Sequence, residues 1–127
     1  PDKCETAFFG PSWTDEQIEP AVKASGYAWK KLSREELLET ASNALSKGKI
    51  MGWFQGREEW GPRALGNRSI LCHPGWPDMK ATLNARIKNR EHFRPFAPAV
   101  LKERCGEIFT HDHEVPFMVV VYTVRPE

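Results

Sequence analysis

The chain has 127 residues, 40% of them hydrophobic and 28% charged, and a formal net charge of +1. That length suits one domain, and the near-neutral balance gives no global case for nucleic-acid or membrane binding. The three cysteines, Cys4, Cys72 and Cys105, show no CxxC spacing. They suggest neither a disulfide framework nor a zinc knuckle and fit a reduced, cytoplasmic setting. No stretch reads as a signal peptide or as a bilayer-spanning run. Because the sequence opens on Pro1 and stops at Glu127 just after the strand-like FMVVVYTV, a piece of a longer polypeptide is expected.

In chain order, AFFGPSW lacks a helical period and reads as an extended arm packed on the domain. Thr14 with Gln17 forms a capping box that opens a helix ending at Gly26. Pro20 lies about one turn in and is expected to shorten or kink its start. Residues 27–32 (YAWKKL) alternate as a short strand does. Ser33 with Glu36 is a second capping box, and Leu37, Leu38, Ala41, Ala44 and Leu45 share one face of the helix it opens. Lys47 and Gly48 end that helix. IMGWF, residues 50–54, reads as a buried strand. A helix between two strands suggests a βαβ-like unit and an α/β sheet. Residues 55–66 are a loop, 68–72 a strand, HPGWP a turn and 78–89 a helix with Met79, Leu83 and Ile87 at spacings of four. Residues 96–101 return as a strand in which Pro98 argues for an edge or a bulge, 102–109 are a short helix, 111–114 a polar loop and 116–124 the last strand.

Positive charge concentrates in residues 56–98, where Arg57, Arg63, Arg68, Lys80, Arg86, Lys88, Arg90 and Arg94 face only Glu58, Glu59, Asp78 and Glu91. These cations are interleaved with glycine, proline and aromatic residues, as in a pocket for an anion such as phosphate. Arg63 sits in GPRALG, whose glycines allow a tight turn and close approach to a ligand. Its planar fork suits phosphate or carboxylate oxygens. A salt bridge to Glu58 or Glu59 is an equal alternative. Lys88 and Arg90 at a helix C-terminus are favourable without any ligand. Arg94, held between Phe93 and Pro95, is preorganised in a way that anion recognition requires. His111 and His113 have HxH spacing but no third ligand nearby, so a polar loop is the better reading and no metal site is expected. His73 and His92 fit turns as well as ligand contacts, and Cys72 reads as a small buried residue. No GxSxG, HExxH, P-loop or dinucleotide-binding glycine pattern is present.

GWFQGREEWGPRALGNRSIL followed by LNARIKNREHFRPFAPAVL resembles the C-terminal domain of the carbamoyltransferases that modify antibiotics and nodulation factors. The resemblance is strong over residues 50–101, and the lead-in FFGPSWTDEQIEPAV is similar to that family's entry to the domain. It implies an α/β (α+β) fold on a twisted mixed sheet with flanking helices, similar to threonylcarbamoyl-adenylate synthases, and truncated here. On that resemblance residues 1–127 are a partial C-terminal domain, without the N-terminal, metal-dependent transfer domain and without the C-terminal remainder, where further nucleotide contacts are expected. Such a domain makes carbamoyl adenylate from carbamoyl phosphate and ATP, with Mg2+ carried on the substrate phosphates, for transfer to a hydroxyl acceptor. Arg63, Lys88 and Arg94 are the implied ligands of the phosphates, and Arg90 is a further contact in a KxR string. Arg57 and Glu59 are implied to shape the pocket or hold Arg63. The family usually continues RSIL with a small residue and Asp-Pro-Arg, whereas this chain has Cys72-His73-Pro74-Gly75. The fragment alone is expected to be inactive.

Two other readings compete. One is a non-catalytic module that binds RNA or a nucleotide in a basic cavity, against which stands the lack of a basic stripe with exposed stacking aromatics. The other is a structural remnant whose charges form only salt bridges. An exposed last strand could also pair with a second copy.

Overall fold

The computed structural model describes residues 4–126. Helices α1 (Asp15–Ala24) and α2 (Arg34–Ser46) come first, followed by strands β1 (Met51–Phe54) and β2 (Arg68–Leu71). Helix α3 (Met79–Thr82) continues as a π-helical segment, Leu83–Lys88, and a 3-10 turn, Lys102–Arg104, leads into α4 (Cys105–Ile108). The described residues thus form a small mixed α/β arrangement with four α-helices and one two-stranded sheet.

The helix signals are realised as local chemistry. At α2 the Ser33 hydroxyl accepts from the Glu36 N–H at 3.3 Å, while the Glu36 carboxylate accepts from the Ser33 N–H at 2.8 Å. The Ser33 N–H first, and the Ser33 hydroxyl second, hold the Glu36 carboxyl below its ordinary value. The same box closes α1 through Thr14 and Gln17, and α1 starts directly after it at Asp15 and runs through Pro20 to Ala24, so the proline does not shorten its start. At the end of α2, Gly48 N donates to Leu45 O and Lys49 N to Ala44 O, with Gly48 at φ 73°. That left-handed residue and its pair of bonds satisfy carbonyls that the helix end leaves open. The Trp76 ring lies where a Cβ on Gly48 would come within 3.0 Å, so the 72–76 turn packs on this helix end.

The sheet departs from the expected one. β1 pairs with β2 in antiparallel register, Met51 opposite Leu71 and Phe54 opposite Arg68. The strand–helix–strand crossover is therefore not formed among the described residues. Residues 27–32 form no strand, and Tyr27 is 82% exposed. In residues 96–101, Pro98 lacks the N–H that a strand donates. The last expected strand pairs at one bridge, Phe109 opposite Val124, and leaves Val121 95% exposed. An apolar alternating stretch becomes a strand only where another backbone lies beside it. The buried apolar set is small, consisting of Ala7, Ala41, Met79, Leu83 and Cys105. No helix of the described residues is long and apolar enough to cross a membrane.

Candidate functional site: two cation-bearing loops

The first loop, residues 55–67, is the long connection between β1 and β2. The N-terminal arm lies along it. Trp60 N donates to Ala7 O, Gly10 N to Glu58 O, and Glu58 N to Pro11 O. Gly10 is required there, since a Cβ would come within 2.7 Å of Glu58 Cβ. Arg57 fastens the arm, donating from Nε to Gly10 O at 3.0 Å and from Nη2 to Phe9 O at 2.8 Å. The expected packing of AFFGPSW on the domain is what the structure shows, but the arm is not fully extended: Phe9 N donates to Ala7 O in a tight turn and the chain bends at Gly10.

Inside the loop the hub is Glu59. Its Oε1 accepts from the backbone N–H groups of Leu65 (2.8 Å), Asn67 (2.6 Å) and Arg68 (3.2 Å). Desolvation raises the Glu59 carboxyl, but the N–H donors of Asn67, Leu65 and Arg68 outweigh it and leave it below the ordinary value. Buried Asn67 adds a bond from Nδ2 to Arg57 O at 2.7 Å and accepts from Gln55 Nε2 at 3.2 Å. Arg68 turns its guanidinium to the carbonyls of Gln55, Asn67 and Gly56 and lies 3.6 Å from the Phe54 ring centroid. Arg63 forms no hydrogen bond or ion pair with the described residues, so the alternative of a salt bridge to Glu58 or Glu59 is not realised. It lines an open recess of about 210 Å3 with Glu58, Glu59, Gly61, Pro62, Ala64 and Arg68.

The second loop follows the π-helical segment. Leu83 and Asn84 are buried in it, at 2% and 0% exposure. The expected apolar face keeps Met79 and Leu83 but exposes Ile87, because a π-helix turns less per residue than an α-helix. Asn89 ends the segment in the left-handed region at φ 46°. Arg90 donates from Nε to Asn84 Oδ1 at 2.7 Å and from Nη2 to Pro95 O at 3.3 Å, over the Phe96 ring at 4.5 Å. Lys88 has no hydrogen-bond or ionic partner among the described residues. Arg94 has only an exposed pair with Glu91 at 3.9 Å, a contact that contributes about 0–1 kcal/mol. Arg94 lines a recess of about 680 Å3 with Ala85, Asn89, Arg90 and Glu91.

The cations of residues 56–98 therefore divide by what their nitrogens already do. Arg57, Arg68 and Arg90 donate to carbonyls or to an amide within the fold and act first as braces. Arg63, Lys80, Arg86 and Lys88 have no partner among the described residues and Arg94 has only its exposed pair with Glu91, so these five keep donors for solvent or ligand. The two recesses share no lining residue, so a single pocket joining Arg63 to Lys88 and Arg94 is not present among the described residues.

The Cys72-His73-Pro74-Gly75 run also has a defined geometry. Gly75 N donates to His73 Nδ1 at 2.9 Å. Imidazole here does what an aspartate does in an Asx turn, capping the N–H two residues on. A Cβ at Gly75 would meet His73 Cε1 at 2.7 Å, so the ring fills the space of a side chain at 75. Burial raises the Cys72 thiol above its ordinary value, as befits a packed residue rather than a nucleophile. His111 meets the Tyr122 ring tilted and His113 meets it edge-on, at 5.2 and 5.1 Å between ring centroids. No group of three or more His, Cys, Asp and Glu side chains suited to a metal occurs among the described residues.

Sequence reasoning missed Asn67 and Asn84, the two buried polar residues. The available signal was their type: an asparagine beside Leu83 on the apolar side of a helical pattern has to find partners if it is buried.

The family described as "Carbamoyltransferase C-terminus" matches residues 42–127. The chain is 44% identical over its whole length to the uncharacterized protein sll1178 of Synechocystis, of which it covers 21%. It is 37% identical over 98% of its length to the nodulation protein NolO of Bradyrhizobium diazoefficiens, of which it covers 23%. It is 42% identical over 88% of its length to a 3'-hydroxymethylcephem-O-carbamoyltransferase of Amycolatopsis lactamdurans, of which it covers 20%. The chain belongs to the carbamoyltransferase C-terminal family. It spans about a fifth of the length of the curated relatives that it matches.

Proposed function

We propose that this chain is the part of an O-carbamoyltransferase that forms carbamoyl adenylate from carbamoyl phosphate, water and ATP: hydrolysis of carbamoyl phosphate gives carbamate and phosphate, and a carbamate oxygen then displaces pyrophosphate from the α-phosphorus of ATP. The observation that carries the proposal is the division of the cations. Of the arginines and lysines in the two family motifs, Arg63, Lys88 and Arg94, like Arg86, have no firm internal partner, and of these four only Arg63 and Arg94 line the two recesses. They stand on loops braced by other residues. Bringing carbamoyl phosphate to the α-phosphate of ATP gathers several negative charges. Fixed cations offset that repulsion and stabilise the charge that develops in transfer. Mg2+ enters with the nucleotide as part of the substrate. Arg57 and Arg90 act in this reading by holding the loops, with Arg90 Nη1 left over for a phosphate contact.

In a whole enzyme the two recesses face a shared ligand once further chain closes over them. The many exposed apolar residues, among them Trp60, Phe93, Leu101 and Val121, are the surface such chain covers. The adenylate then passes to an N-terminal transfer domain, where a hydroxyl acceptor is carbamoylated. The fold of the whole domain is that of threonylcarbamoyl-adenylate synthases, of which the hairpin and its flanking helices are a part, and the fragment by itself is inactive. ATP and carbamoyl phosphate, together with the free cysteines, suit a cytoplasmic setting.

The test is carbamoyl-phosphate-dependent exchange of labelled pyrophosphate into ATP by the full protein that carries this segment. Arg63→Ala and Lys88→Ala each lower it by about 10²–10³-fold. Unchanged exchange in both variants removes these residues from the site, and no exchange in the parent protein removes the activity.

A further inference from the structure

Asn84 is the most deeply buried side chain of the described residues, at 0% exposure. Its Nδ2 donates both hydrogens, to His92 O at 3.2 Å and to Arg94 O at 3.1 Å. Its Oδ1 accepts from Arg90 Nε at 2.7 Å. Its backbone oxygen accepts from the N–H groups of Asn89 and Arg90. The amide orientation is dictated by these partners, since a guanidinium only donates and a carbonyl only accepts. One buried residue thus fixes both ends of the segment that runs from Asn89 to Arg94.

We infer that Asn84 is a positioning residue for the phosphate-binding half of the site that carries Lys88 and Arg94. This inference rests on the carbamoyl-adenylate reading for its ligand but not for its geometry. The π-helical segment widens the backbone so that Asn84 sits inside the loop it organises, a placement typical of functional insertions. The amide holds the carbonyl of Arg94 itself, so the direction of that side chain is set from behind. Arg90 completes the arrangement by linking Asn84 to Pro95 O and covering Phe96. Asparagine is the side chain this demands. Aspartate keeps the shape and the acceptor for Arg90 but presents oxygen where the carbonyls of residues 92 and 94 need donors.

The experiment uses the full protein that carries this segment, with Asn84→Asp and, should that variant not fold, Arg90→Lys, which keeps the charge and removes the Nε contact. Limited trypsin digestion in native buffer, mapped by mass spectrometry, reads cleavage after positions 88 and 90. Pyrophosphate exchange reads kcat/KM with ATP and carbamoyl phosphate. The expected result is a several-fold rise in cleavage at those two positions, with a fall of about 10²-fold in kcat/KM, the effect of an ångström-scale misplacement. Ser33→Ala, which weakens α2 instead, leaves cleavage at 88 and 90 as in the parent. Unchanged cleavage, or a lowered melting temperature with kcat/KM intact, overturns the inference. Raised cleavage in a protein whose parent shows no exchange keeps the positioning role and discards the function it serves.

Discussion

The two cation-bearing loops solve the same problem with opposite chemistry. In residues 55–67 the hub is an anion: Glu59 gathers three backbone N–H groups around one oxygen. In residues 88–96 the hub is a donor: Asn84 spends its amide hydrogens on two backbone carbonyls and borrows a guanidinium from Arg90. Each loop then leaves a cation outside the bracing, Arg63 in the first, Lys88 and Arg94 in the second. A glycine-rich and a proline-rich loop have unpaired backbone groups of both signs, and a hub must match the sign it faces. The difference has a consequence for pH, since a carboxylate hub titrates in acid and an amide hub does not.

The largest effects should separate free cations from bracing ones. Arg94→Ala is expected to reduce pyrophosphate exchange by about 10²–10³-fold while leaving the melting temperature within a degree or two. Arg57→Ala, which loses two bonds to the arm, should show the reverse, a cost of about 1 kcal/mol and a melting temperature lower by a few degrees. A variant of Arg57 that keeps its melting temperature but loses exchange would erase the distinction between the two kinds of arginine.

The next effect concerns the hub of the first loop. Glu59 has a carboxyl held below the ordinary value of 4.5, so it binds a proton less readily folded than unfolded. Its contribution is therefore complete above about pH 4.5 and is lost as pH falls through the lower folded value. Glu59→Gln should cost about 1 kcal/mol at neutral pH, after allowance for solvent screening. It should also flatten the fall of the melting temperature as pH drops below about 4.5. Asn84→Asp should not flatten it. An acid profile unaltered by Glu59→Gln would mean that the carboxylate is not what holds the first loop.

What could be read from the sequence follows from how local each signal is. The two capping boxes, Thr14–Gln17 and Ser33–Glu36, and the Gly48 stop depend on a few neighbouring residues, and they form as expected. The motif cations Arg63, Lys88 and Arg94 were legible as candidates because glycine, proline and aromatic neighbours single them out. Their freedom was not legible, because whether an arginine braces or binds depends on carbonyls far away in sequence, as Arg57 does on Phe9 and Gly10. Residues 27–32 and 116–124 have strand-like composition, but pairing is non-local, and the described residues supply partners only at Phe109 and Val124. Asn84 escaped notice for the same reason, since its partners at 92 and 94 lie beyond the end of its helix.

The smallest expected effect lies between the two loops, at the 72–76 turn. His73 Nδ1 caps the N–H of Gly75, and its ring occupies the place of a side chain there. Gly75 is not in the left-handed region, so the ring alone excludes a larger residue. Gly75→Ala in the parent must push His73 away and break the cap, at about 0.5–1.5 kcal/mol. With His73→Asp already present the ring is gone and a carboxylate caps the turn, so the same change at 75 should cost close to nothing. A double-mutant cycle on thermal unfolding should therefore give a coupling of roughly 0.5 kcal/mol or more between positions 73 and 75. Independent effects would show that His73 and Gly75 are separate replacements. Coupled ones make them a single exchange, in which an imidazole and an absent side chain stand in for a carboxylate and a cation. The 72–76 turn would then have lost no bracing contact through the substitution, because it keeps its cap by other means.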